Sequence, residues 1–203
     1  MNKIRVESVE VEPSKIICIG RNYVEHIREL GNEVSASMVV FIKPNSAIST
    51  QLISFRQEPI HYEAEICFVY SQGRFSAVGF GLDLTKRKLQ NSLKAKGLPW
   101  ERAKAFDGAA IFSEFKMIDK ISENLTLELK INDKIVQTGE LQQMIYKPKA
   151  ILSELQTFIN LNDGDVVMTG TPKGVGIIPK GNRFVGKIMD NTKTITVAEW
   201  KAI

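Results

Sequence analysis

The sequence predicts an α+β domain, a mixed β-fold carrying a few short helices. Short apolar runs bounded by Gly, Pro, Asn and Asp recur along the chain, at 16–19, 39–42, 64–70, 125–131 and 166–168. Several alternate with the period of two that a strand imposes on its side chains. Only three segments, 22–31, 85–96 and 151–159, show helical spacing, and each is short.

Composition bounds the rest. At 203 residues the chain reads as one domain over 1–203, with 1–15 as a short lead-in. Its 43% hydrophobic and 25% charged residues are ordinary for a globular protein. The net charge of +4 is mild and the basic residues are dispersed. The densest run, Lys86-Arg87-Lys88, lacks interleaved aromatics, so it reads as a solvated helix face and not as a nucleic-acid surface. Cys18 and Cys67 lie unclustered in apolar runs, which argues against a disulfide framework or a zinc site. The start, Met1-Asn2-Lys3-Ile4-Arg5, has no signal-peptide character, and no apolar run reaches membrane-spanning length. A cytoplasmic protein with no nucleic-acid or membrane partner is expected.

Taken in order, Ile16-Ile17-Cys18-Ile19 is a buried-strand signal closed by Gly20. A short helix follows, with Asn22 as N-cap and Gly31 as its stop. His26 and Glu29 lie three apart on it and can touch; the carboxylate would fix the tautomer of the imidazole and make it a better base. On spacing alone a surface ion pair is the commoner reading. Val39-Val40-Phe41-Ile42 is a further buried strand, and residues 46 to 60 read as strand and turn pieces.

In His61–Tyr70, Tyr62, Ala64, Ile66, Phe68 and Tyr70 share one apolar face, while Glu63, Glu65, Cys67 and Val69 share the other. Two adjacent carboxylates in a buried strand repel unless a cation lies between them. An isolated Glu-x-Glu is commonly a solvated edge, but a third acid, Asp83, sits in the apolar stretch Gly81-Leu82-Asp83-Leu84-Thr85. Three carboxylates without a thiolate cluster suit a hard cation, Mg²⁺ or Mn²⁺.

Ser71-Gln72-Gly73-Arg74 is a tight turn, and a helix runs from Thr85 to Lys96, where Gln90 lies within two turns of Asp83. Residues 99–108 read as an irregular loop, and Lys104 within it matters only if it reaches the carboxylates. Leu125, Leu127, Leu129 and Ile131 alternate into a turn at Asn132-Asp133. Ile151, Leu152, Leu155, Phe158 and Ile159 have helical spacing. Val166-Val167-Met168 runs into the Gly-rich loop Thr169–Gly176, whose spacing matches neither a P-loop nor a dinucleotide fingerprint. Its backbone N–H groups would suit a carboxylate; a plain hairpin loop is equally compatible. The segments 184–188 and 194–197 complete the strands.

Five stretches in this order resemble the fumarylacetoacetate hydrolase family, in particular its short single-domain acylpyruvase and oxaloacetate-handling branch. They are Gly20-Arg21-Asn22-Tyr23 with His26; Glu63-Ala64-Glu65; Asp83-Leu84-Thr85 with Gln90; Gly97-Leu98-Pro99-Trp100 with Lys104; and Thr169-Gly170-Thr171-Pro172-Lys173-Gly174-Val175-Gly176. The resemblance implies a mixed β-roll or β-sandwich of the family's C-terminal catalytic type, a homodimer, and Mg²⁺ or Mn²⁺ held by Glu63, Glu65 and Asp83. It implies that Lys104 polarises a carbonyl or enolate oxygen, that Arg21 and Gln90 hold the substrate, and that Gly170 and Thr171 take its carboxylate. His26 with Glu29 would activate water. The implied activity is hydrolysis of a C–C bond in small acylpyruvates through a metal-stabilised enolate. The same ligands would serve oxaloacetate decarboxylation or keto–enol isomerisation, and a non-catalytic anion-binding protein is the reading outside enzymology.

Overall fold

The computed structural model describes residues 1–31 and 33–203. Its centre is a seven-stranded sheet. The order of its main path is Ala110–Phe112, Arg74–Asp83, Ala64–Ser71, Val166–Met168, Lys15–Gly20 and Val39–Pro44, with Lys116–Met117 also pairing Arg74–Asp83. Only the 166–168 and 15–20 strands run parallel; the other pairs are antiparallel. A second, four-stranded antiparallel sheet has the order Lys134–Glu140, Leu125–Ile131, Arg183–Asp190, Lys193–Lys201.

Alternation sorts the core into two layers. From the central strands Ala64, Ile66, Phe68, Phe80 and Leu82, with Tyr62 just before them, join a cluster shared with Leu125, Leu127, Leu129, Phe184 and Ile188 of the second sheet. Their neighbours Cys67, Val69 and Ala77 point to the opposite face, where Cys18, Met168 and Phe115 complete a smaller cluster. The sheets meet closely: a Cβ on Gly186 would lie 2.3 Å from the Phe80 ring, so only glycine fits there. The 1–15 lead-in is itself a hairpin, Ile4–Val6 with Val9–Val11, and Ile4 joins the smaller cluster.

Among the described residues four short α-helices decorate the sheets: α1 Val24–Glu29, α2 Arg87–Ala95, α3 Glu101–Lys104 and α4 Pro148–Leu155. Several expectations change here. Asn22 does not cap α1, whose N-cap is Tyr23. The Asn22 side chain instead donates to the carbonyls of Tyr146 and Thr169 and accepts from the Tyr146 N–H, tying three segments together. Gly31 does end the helix, in the left-handed region. The 39–44 strand is a sheet edge, so Ile42 is exposed while Lys43 turns inward. The helix α4 ends at Leu155 and leaves Phe158 exposed. The 99–108 stretch contains α3, and Lys104 sits on its last turn. Among the described residues no helix is long and apolar enough to cross a membrane.

Candidate active site

At one end of the central sheet the strand pairing gathers the three acids. Asp83 N–H donates to the Glu63 carbonyl at 2.9 Å, which sets the two residues opposite one another. Glu65 follows two residues later on the same face. All three are buried, and their oxygens lie within 4.8 Å of one another. So close a cluster requires compensating charge.

Basic side chains supply part of it. Lys104 Nζ donates to Glu63 Oε2 at 2.8 Å, to Asp83 Oδ2 at 2.8 Å and to Thr85 Oγ1 at 2.7 Å. Arg87 pairs with the other oxygen of Glu63 and donates to Gln90 Oε1 at 2.8 Å. Lys43, fully buried, lies 2.8 Å from Asp83 Oδ1 and donates to the Lys104 carbonyl. Glu65 has only an N–H: Gly170 donates to its Oε2 at 2.6 Å.

The titration behaviour follows. Burial opposes ionisation of Glu63, but Lys104, Arg87 and His26 outweigh it and hold the carboxyl well below its usual range. Burial, then the charges of Asp83 and Glu63, push Glu65 well above it. Burial disfavours the Lys104 ammonium, yet Asp83 and Glu63 raise its pKa above the ordinary lysine value.

A hard divalent cation fits this cluster. Asp83 Oδ1 is buried and makes no hydrogen bond, because Lys43 approaches it at ion-pair distance outside hydrogen-bond geometry. The donor set is all oxygen, and a further positive centre would let Glu65 ionise with its neighbours. Glu63, Glu65 and Asp83 would hold the ion.

A narrow pocket, open to solvent, lies over the carboxylates. Of the residues singled out from sequence, Arg21, His26, Glu63, Glu65, Asp83, Gln90, Lys104 and Thr171 line it. His26 Nδ1 lies 3.1 Å from Glu29 Oε2, and the other Glu29 oxygen accepts the Gly174 N–H at 2.9 Å, which fastens α1 to the Gly-rich loop. Gly170 is absent from the pocket wall; its N–H holds Glu65, and Thr171 alone of that pair faces the cavity. Arg21 has a positive φ of 56°, a conformation costly for a side-chain-bearing residue and common at functional sites.

Sequence reading missed Lys43, Arg87 and Lys94. The run Lys86-Arg87-Lys88 is not a solvated face: Lys86 and Arg87 are buried, Arg87 against Glu63 and Lys86 over the Phe106 ring. Only Lys88 is exposed. A signal for Arg87 existed, since it precedes Gln90 by one helical turn. For Lys43 the signal was its period-two spacing from Phe41, across from Ile16 and Cys18.

Residues 15–197 match the family described as fumarylacetoacetate (FAA) hydrolase C-terminal. The human protein named oxaloacetate tautomerase FAHD1, mitochondrial, is 36% identical over 187 residues, covering 83% of this chain and 84% of its own. A crystal structure from Oleispira antarctica superposes with a TM-score of 0.92 at 31% identity, covering all of both chains. Fumarylpyruvate hydrolase from Pseudomonas aeruginosa, solved with Mn²⁺ and pyruvate, has a TM-score of 0.89 at 26% identity, covering all of this chain and 95% of its own. The chain belongs to the fumarylacetoacetate hydrolase family, as an enzyme built on that family's C-terminal catalytic fold.

Proposed function

We propose that the chain is a divalent-metal-dependent hydrolase that cleaves the C–C bond of small acylpyruvates through an enolate. The observation that carries this reading is that His26, backed by Glu29 at 3.1 Å, lines the same pocket as Glu63, Glu65 and Asp83. The solved relative named a fumarylpyruvate hydrolase, which carries Mn²⁺ and pyruvate, supports it. Bound at the three carboxylates, Mg²⁺ or Mn²⁺ supplies Lewis acidity toward a developing enolate oxygen.

The chain's own groups do the rest. Lys104 keeps a fixed positive charge beside Glu63 and Asp83, where negative charge grows on the substrate. With its proton on Nδ1, facing Glu29 Oε2 at 3.1 Å, His26 has Nε2 left to take a proton from water. Thr171, Gln90 and Arg21 orient the substrate from the pocket wall.

A second reading is oxaloacetate keto–enol tautomerisation, favoured by the name and 36% identity of the human relative. It shares the enolate, as does oxaloacetate decarboxylation, and neither needs activated water. The deciding measurement is turnover of acetylpyruvate, fumarylpyruvate and oxaloacetate by one preparation with Mg²⁺ or Mn²⁺, with His26→Ala run beside it. His26→Ala is expected to lower acylpyruvate hydrolysis by about 10²–10⁴-fold and to leave most oxaloacetate decarboxylation in place. Equal loss of both activities gives His26 a shared proton-transfer or binding role. A wild-type protein that tautomerises oxaloacetate and hydrolyses neither acylpyruvate makes the second reading the correct one.

A further inference from the structure

The pocket wall carries more positive charge than its acids require. Arg21, Arg87, Lys94 and Lys104 line it against three carboxylates. Lys104 and Arg87 are taken up by Glu63 and Asp83. Arg21 and Lys94 pair with no carboxylate among the described residues, and the Arg21 Nε is buried without a partner.

The two belong to different elements, Arg21 to the turn before α1 and Lys94 to α2. Along α2, Arg87, Gln90 and Lys94 follow at three and four residues, so they share one face. Seven residues of helix set Lys94 roughly 10 Å along the axis from Arg87, the residue that touches the metal-ligand cluster. Its ammonium is held 4.9 Å from the Trp100 ring centroid, and Trp100 also lines the pocket. Burial first, then Arg21 and Arg87, lower its pKa to about 8. Two cations without a carboxylate partner, lining one pocket and half out of water, cost free energy that an anion between them would offset.

We propose that Lys94, with Arg21, binds the second carboxylate of a dicarboxylic 2-oxo acid and so selects diacids over monoacids. The inference rests on the 2-oxo acid chemistry proposed above, in which a cation held by Glu63, Glu65 and Asp83 would take the first carboxylate and keto group, leaving the far carboxylate for Lys94.

The test is Lys94→Met, which keeps most of the stem over Trp100, assayed for kcat/KM on fumarylpyruvate, a diacid, and acetylpyruvate, a monoacid. The diacid-over-monoacid preference should fall by about tenfold or more, the scale of one charge-assisted hydrogen bond, mainly through KM. Lys94→Arg should restore most of it. A preference that stays unchanged, or that Lys94→Arg fails to restore, overturns the proposal. Should the wild type turn over neither substrate, the functional reading fails separately. Calorimetric binding of 2-oxoglutarate and 2-oxobutyrate, which differ only by the terminal carboxylate, then decides the role of Lys94. Tighter binding of the diacid by the wild type, lost in Lys94→Met, supports it; equal binding of the two acids overturns it.

Discussion

Lys104 donates to three oxygens at 2.7–2.8 Å and is 2% exposed, so its charge exists only because Glu63 and Asp83 stand beside it. Two consequences follow from one contact set. Lys104→Met removes the charge nearest the developing oxyanion, and kcat should fall at least about 10²-fold. It also removes one of two cationic partners from each buried carboxylate, leaving Glu63 with Arg87 and Asp83 with Lys43, so the cost stays below the roughly 3–5 kcal/mol of a buried charge left with no partner. The melting temperature of the metal-free variant should therefore drop, and Mn²⁺ should recover part of the loss. Turnover at the wild-type rate would make Lys104 a structural counter-ion only.

At the scale of elements, the site depends on the 169–176 loop as much as on the strands. Gly170 has a φ of +100°, and a Cβ there would lie 2.8 Å from the Cβ of Asn22 and 3.0 Å from the Ile19 carbonyl oxygen. No L side chain meets both demands. The same residue's N–H is the hydrogen bond that holds Glu65. Gly170→Ala should destabilise the fold by about 1–3 kcal/mol through backbone strain and weaken divalent-ion affinity by moving the loop away from Glu65. Titration of Mn²⁺ into the variant checks the second half. An unaltered affinity would mean that the N–H has no part in placing the ligand.

For the whole molecule, the two sheets bury a cluster of three acids at the end of a well-packed core, and the fold carries that electrostatic load when metal-free. Mg²⁺ or Mn²⁺ should raise the melting temperature, because an ion at 100 times its Kd adds about 2.7 kcal/mol to the folded state. Asp83→Asn should abolish most of that dependence along with activity. A wild-type melting temperature indifferent to both cations would show that the cluster holds neither.

How much of this was legible beforehand depends on the range of the physics involved. Side-chain alternation is a property of the extended backbone itself, so the sequence alone placed Glu63 and Glu65 on one face and Tyr62, Ala64, Ile66 and Phe68 on the other. The i, i+3 spacing on a helix likewise brought His26 to Glu29. The long cationic side chains escaped that logic. Lys104 lies 41 residues from Glu63, and the spacing of Lys43 from Phe41 or of Arg87 and Lys94 from Gln90 tells which face they share but not what they meet there. Whether such a chain ends in water or on a buried carboxylate is set by how an edge strand, α2 and α3 pack around the sheet end. Only the tertiary structure decided that, because a four-carbon stem carries no local signal of where its charge will be desolvated.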